Sequence, residues 1–308
     1  MVAMVAALTV AIGGPAASEV GVQNAAAAAP CAIPAAVVAP VAATPLPVSD
    51  ATPVATSAAD MESAALTAEL DTVARALAAC LSQGKAGTVV ELATARYLGQ
   101  LYASDLPLSP EEYLQIAPQL GPVETRIVSV TDGRRLGPGR VSAEVVSVVG
   151  RQLLRSRWDF EKAPAGERTP NQSTWRVDRE QALPLIPPAD ADLLSVTLQD
   201  YAIAIDPTTT SGPDVVLRGE NLAAQDHEML VLRFAAGFTT EDLLRAAGPA
   251  LPKQTTYVGQ ATVPAGGRAD LVLTGLEPGR YTVVCLFPAE DGTPHLALGM
   301  ATTFEVER

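Results

Sequence analysis

Three side chains with soft or borderline donor atoms fall in one short stretch of this 308-residue chain: Cys285, His295 and Met300, in CLFPAEDGTPHLALGM. A thiolate, an imidazole and a thioether together make a metal-ligand set. The chain has only two histidines, and the other, His227, closes a turn-rich stretch and opens an apolar run in NLAAQDHEMLVLRF. Two imidazole nitrogens and one thiolate in a trigonal plane, with a weak axial methionine sulfur, form the arrangement that holds mononuclear copper for electron transfer. Each residue alone also has a plain packing role: an inward Cys or Met fills core space, and a lone His is satisfied by a backbone carbonyl. The four together point to a metal site.

The elements that must position them are short strands. Alternating runs at 194–205, 215–218, 229–234, 256–263, 269–274, 281–286 and 301–306 are separated by Gly and Pro turns. Seven such strands predict a Greek-key β-sandwich. One interruption, 240–247, reads as a short helix capped by Thr239 or Thr240. Tyr281, Val283 and Cys285 alternate onto one face, so the thiol points between the sheets, shielded from water and oxidation. His295 follows Pro294 and precedes Leu296 and Leu298 on a loop, which places it near the surface in an apolar patch suited to a redox partner. Asn221 is positioned to hold the ligand loops in register. Asp226 and Glu228 flank His227 and either orient its ring or face solvent.

This half resembles the cupredoxin family. The resemblance rests on Asn221 in the turn before His227, on the Pro-Gly-x-Tyr-x-x-x-Cys strand of Pro278, Gly279, Tyr281 and Cys285, and on the histidine and methionine in the loop that follows. His295 and Met300 have four residues between them, as in plastocyanin-like members. The nine residues between Cys285 and His295 exceed the usual spacing, with precedent in the type 1 domain of copper nitrite reductases. Leu286 stands where the family has Ser or Thr. The resemblance implies an all-β cupredoxin-like domain over 188–308, with one copper ion on His227, Cys285 and His295 and with Met300 axial. Zinc on the Cys-His-His set is less favoured by the methionine.

The first half reads differently. Leu66, Leu70, Val73, Leu77 and Leu81 recur at helical spacing between Asp60 and Gly84. A second helix over 88–102 and a shorter one after Ser109-Pro110 follow. Strands are expected at 123–131, 140–149, 152–161 and 174–179, with a turn at Asp132-Gly133. Trp158 and Phe160 share one face, as do Trp175 and Val177. Helices followed by a curved antiparallel sheet predict an α+β domain over 59–187. That element order resembles the nuclear-transport-factor-like fold, which implies a small-ligand or partner module. The domain has no histidine. Its acid-base candidates reduce to Asp159, Glu161, Asp178, Tyr97, Tyr102 and Tyr113, residue types without a pattern. Pro184, Pro187 and Pro188 mark the boundary between the halves.

A net charge of −13 and a pI near 4.6 exclude nucleic acid and anionic membrane surfaces as partners. Residues 1–29 read as a signal peptide, with an apolar run ended by Gly13, Gly14 and Pro15 and then small residues. Residues 30–58 read as an Ala/Pro-rich linker. Three cysteines suggest one pair and one single thiol in an oxidising compartment. If Cys285 is the single one, Cys31 and Cys80 pair; the alternative is that Cys80 is a small buried residue of a helix. The expectation is an extracytoplasmic copper protein for electron transfer or copper handling, working with an unidentified redox partner. A multicopper oxidase or nitrite reductase is excluded by counting, because no histidines remain for a second centre. The alternative is a secreted or cell-surface interaction module with a vestigial site, and an isomerase or hydratase in the first half comes third.

Overall fold

A computed structural model describes residues 31–32 and 58–307, apart from 120, 165, 167–172 and 247–249. The expected leader and nearly all of the linker lie outside these residues. No helix among the described residues is long and apolar enough to cross a membrane.

The first half is helices on a sheet, as its periodicity implies. Helix α1 (Ala58–Ser82) buries Leu66, Leu70, Val73 and Leu77 on one face, and Gly84 follows its end at φ +63°. Only a residue without Cβ enters that left-handed region cheaply. The expected helix over 88–102 is two, α2 (Ala86–Leu92) and α3 (Ala95–Gln100). Between them Ala93 bridges Val177 and the Thr94 N–H donates to the Val177 carbonyl, so pairing with the sheet overrides helix propensity. Helix α4 (Pro110–Ile116) begins with a complete capping box, Ser109 with Glu112.

Strands β1 (Thr125–Gly137), β2 (Arg140–Val149), β3 (Gln152–Lys162) and β4 (Trp175–Ala182) form an antiparallel sheet. The turn expected at Asp132-Gly133 is a bulge inside β1, with Asp132 at φ +60° and the register shifting between Thr131 and Arg134. A bulge and a turn share the same local sequence, and a bulge bends the strand that carries it. Gly133 is required there: a Cβ would sit 2.5 Å from Thr67 Oγ1 of α1, and Thr67 and Ser63 both hydrogen-bond its backbone. The core between helices and sheet holds Trp158, Phe160, Trp175 and Val177.

A disulfide joins Cys31 to Cys80 of α1 and leaves Cys285 as the free thiol. It closes a loop with a sequence separation of 49. By chain entropy such a link stabilises by up to about 4 kcal/mol at 25 °C. Replacing both cysteines with Ser is therefore expected to lower the unfolding free energy by about 3 kcal/mol, measured by denaturant titration.

The second half is a sandwich. One sheet runs β6 (Ala202–Asp206), β5 (Asp192–Gln199), β8 (Val215–Asn221), β11 (Arg268–Leu273); the other runs β10 (Thr255–Val263), β9 (His227–Phe234), β12 (Gly279–Val284), β13 (Ala301–Val306), β7 (Thr209–Thr210). The β5–β8 and β13–β7 pairs are parallel and the others antiparallel. The run 194–205 is thus a hairpin, reversed at Asp200-Tyr201 with Tyr201 at φ +61°. Leu194, Val196 and Leu198 alternate inward from β5 to meet Met229, Val231 and Val283. Helix α5 (Thr240–Arg245), capped by Thr239, covers the outer face of β9 and β12 through Leu243 against Leu230 and Val284.

The two halves meet along β3. Its first residue, Gln152, pairs with Leu273 of β11, and its side chain exchanges two hydrogen bonds with the Gln260 backbone. The β2–β3 turn docks beside it, the Arg151 N–H donating to the Val258 carbonyl at 2.7 Å.

Candidate metal centre

The four residues singled out above come from four element ends in the sandwich. His227 opens β9, Cys285 follows β12, His295 starts a short 3-10 turn (His295–Leu298), and Met300 precedes β13. Strands β9 and β12 are hydrogen-bonded neighbours, so their ends at one edge of the sandwich bring His227 and Cys285 together. The Met300 backbone binds both of its loop partners: its N–H donates to the His295 carbonyl at 3.0 Å, and its carbonyl accepts from the Cys285 N–H at 3.2 Å. The Met300 side chain is fully buried in the same apolar cluster as Cys285.

His227 Nδ1 lies 3.1 Å from His295 Nδ1, and Cys285 Sγ lies 3.4 Å from His295 Nδ1 and 3.9 Å from His227 Nδ1. All three donor residues are buried, and no other His, Cys, Asp or Glu group among the described residues clusters in this way. Trigonal ligands at bond lengths of about 2.05 Å for nitrogen and about 2.3 Å for sulfur stand roughly 3.5 Å (N to N) and roughly 3.8 Å (N to S) apart. The observed triangle is within a few tenths of an ångström of that, so the residues fit one ion with thiolate, two imidazoles and a methionine nearby, the donor set of a type 1 copper site.

The electrostatics suit a cation. Burial holds both imidazoles below their ordinary pKa, which leaves neutral rings with ligating lone pairs; the neighbouring His295 adds to the effect on His227. Burial pushes the Cys285 thiol up to about 11, against the pull of the Glu228 N–H, which points at Sγ from 3.4 Å. A cation held by these residues would reverse that logic and favour the Cys285 thiolate.

Several expectations need correction. His295 is not near the surface: it is 1 % exposed, and the Tyr201 ring lies edge-on against it, with centroids 5.3 Å apart. The long loop before it is a small hairpin, closed by a Pro288–Pro294 bridge, by Ala289 N–H to the Thr293 carbonyl at 2.8 Å and by His295 N–H to the Phe287 carbonyl at 2.9 Å. Neither neighbour of His227 orients its ring. Asp226 accepts from the Ala265 N–H, and Glu228 points into the protein, where Oε1 accepts from the Leu286 N–H at 2.8 Å. The carboxylate near the His227 ring is Asp200, 4.0 Å from Nε2, on the β5–β6 turn. Burial raises the Glu228 carboxyl to about 7. Asp200 and Tyr201 escape sequence reasoning because they reach the site from a reversal inside a run that reads as one strand, and the buried role of Glu228 escapes it because its partner, the Leu286 N–H, lies across strands. Asn221 behaves as expected, bonding Gln225, Val263 and Ala223 around the loop before His227.

In the first half the acid-base candidates do not converge. Asp178 accepts from Thr94 Oγ1 at 2.8 Å and faces Arg96, which is a structural arrangement. Tyr97 and Tyr113 line a cavity from which Asp159, Glu161 and Asp178 are absent.

No protein-family model matches the sequence, and no curated protein matches it. Among solved structures the chain is similar to the reduced auracyanin from the photosynthetic bacterium Roseiflexus castenholzii, with 22% identity over 39% of this chain and 100% of that one and a TM-score of 0.28. It is similar to auracyanin B, with 21% identity over 41% of this chain and 94% of that one and a TM-score of 0.29. A multicopper oxidase from Campylobacter jejuni shares 9% identity over 54% of this chain and 43% of its own, with a TM-score of 0.25. Likeness at this level assigns no activity, and the resemblance of the first half to the nuclear-transport-factor-like fold finds no support in it. What stands on the chain's own strands and donors is a cupredoxin-like sandwich whose His-Cys-His-Met cluster fits a single type 1 copper ion.

Proposed function

We propose that the chain binds one copper ion through His227, Cys285 and His295, with Met300 axial, and serves in electron transfer or copper handling. The observation that carries this reading is the convergence of three buried donor atoms at distances suited to a single ion. Copper supplies the one-electron Cu(II)/Cu(I) couple. The protein's own residues supply the rest. The Glu228 N–H steadies the thiolate, the Pro288–Pro294 hairpin and the Asn221 hydrogen bonds fix both histidines, and Tyr201 keeps water from His295.

A redox partner has one natural approach, the end of the sandwich where Tyr201, Leu222 and Leu298 are exposed beside the buried ligands. An extracytoplasmic location is supported by the Cys31–Cys80 disulfide, a bond that persists in oxidising compartments. Protein loaded with Cu(II) is expected to hold one copper per chain and to be strongly coloured by charge transfer from the Cys285 thiolate; a colourless one-copper complex would sink the reading. Met300→Gln should keep the colour and lower the reduction potential in voltammetry, because an axial ligand tunes the couple without defining it.

A further inference from the structure

The first half encloses a cavity of about 390 Å³ that the metal centre does not use. Such a volume is that of a small-molecule site. Its walls are apolar, with Val89, Leu101 and Leu154 opposite the rings of Tyr97, Tyr113 and Trp158. The second half closes it with Tyr257, so the site is complete only when the two halves are together.

Set into this apolar lining is a carboxyl group, that of Glu180. Its backbone is locked in place by Gln100, which accepts from the Glu180 N–H at 2.9 Å and donates to its carbonyl at 3.2 Å. Ser156 Oγ donates to Oε1 at 2.7 Å. Burial raises the carboxyl above its ordinary range and the Ser156 and Trp158 side chains pull it partway back; among the described residues it has no ion pair, and Lys85, which also lines the cavity, is exposed. A carboxylate that bears against aromatic rings and lacks a cationic partner is an incomplete ion pair. Tyr97 and Trp158 lie with ring centroids 6.0 Å apart beside it, and ring faces attract ammonium groups.

We propose that this cavity binds a small apolar molecule carrying a protonated amine, with its ammonium on Glu180 beside the Tyr97 and Trp158 rings and its body against Leu101, Tyr113 and Leu154. A neutral molecule of the same shape fills the same walls and leaves Glu180 without its partner. An anionic one places like charge beside it.

The test uses the full chain and two fluorescent probes with one naphthalene body, monodansylcadaverine with its primary amine and dansylamide without it. The amine probe is expected to bind saturably and about tenfold more tightly than the neutral one, a charge-assisted hydrogen bond being worth at least that factor. Glu180→Gln should abolish the preference while changing dansylamide affinity less than about twofold. Glu161→Gln, which removes one exposed carboxylate elsewhere, should preserve the preference and so separates the site from the general attraction of an acidic protein. Leu154→Trp, which fills the cavity, should weaken both probes by at least about tenfold. Equal binding of the two probes, an unchanged preference in Glu180→Gln, or a preference lost equally in Glu161→Gln overturns the amine assignment. Unaltered binding in Leu154→Trp overturns the cavity as the site.

Discussion

Cys285→Ser is expected to give a protein that folds, binds Cu(II) more than about 100-fold more weakly than the parent chain, and shows no intense visible band. Loss of a partner one step removed from a metal costs 10–100-fold in affinity, so loss of a direct ligand should exceed about 100-fold. The colour depends on sulfur more strictly than the affinity does, because ligand-to-metal charge transfer in the visible needs a soft thiolate, which a hydroxyl cannot replace. The fold should survive, since Ser is nearly isosteric and its hydroxyl meets groups able to bond it: the Glu228 N–H at 3.4 Å from the present sulfur and the His295 Nδ1 at 3.4 Å. The stability change without metal should therefore stay near 1 kcal/mol. Copper content after dialysis, the visible spectrum and circular dichroism on the same samples decide the matter. A Ser variant that retains the band removes Cys285 from the ligand set, and a Ser variant that unfolds turns its role into packing.

This centre was legible in the sequence because its residue types are scarce. With two histidines and three cysteines in the whole chain, the set could be assembled from spacing and strand pattern before any coordinates. The strand that carries the thiol was legible for the same kind of reason: Pro278-Gly279 opens it, and Tyr281 and Val283 alternate with Cys285 toward the core. Runs such as 140–149 and 301–306 coincide with β2 and β13, where turn residues bound an unambiguous period of two.

What failed to show is what the chain decides by long-range contact. Ala93 and Thr94 carry no helix-breaking signal; they leave the helix because Val177 offers a strand partner. The reversal at Asp200-Tyr201 contains neither Gly nor Pro, so 194–205 read as one strand, and the two residues nearest the outer edges of the imidazoles were hidden with it. Glu228 read as either an orienting or a solvated neighbour of His227, whereas strand alternation turns it to the opposite face, where it is fully buried and holds the Leu286 N–H. The Glu180 cavity draws its lining from α1, α2, α3, α4, the sheet and β10, a convergence that no local pattern records.

Asn221→Ala should be the most destabilising polar substitution in the metal-bearing half, lowering the unfolding free energy by about 3 kcal/mol. The side chain is 1 % exposed and saturates three backbone groups: Nδ2 donates to the Gln225 carbonyl at 2.9 Å and to the Val263 carbonyl at 3.0 Å, and Oδ1 accepts from the Ala223 N–H at 3.0 Å. Alanine leaves all three without that partner. Each buried polar group left unpaired costs about 1–3 kcal/mol; the Gln225 end lies close enough to the surface to recover water, which leaves two such groups and a total in the lower half of about 2–6 kcal/mol. For a domain of this size that is a fall of roughly 10 °C in Tm. The effect should also reach the metal. Val263 pairs with His227 across β10 and β9, and Asn221 ties the 221–225 turn to Val263, so its loss frees the segment that leads into the ligand. The copper form of the variant is therefore expected to keep its thiolate band but to shift it and to lose metal more readily, whereas a substitution that only weakened the sandwich core would leave the band where it was. Thermal unfolding of the metal-free protein and the spectrum of the loaded one separate the two effects. A Tm within about 2 °C of the parent would mean that water replaces the amide at all three positions and that Asn221 holds nothing.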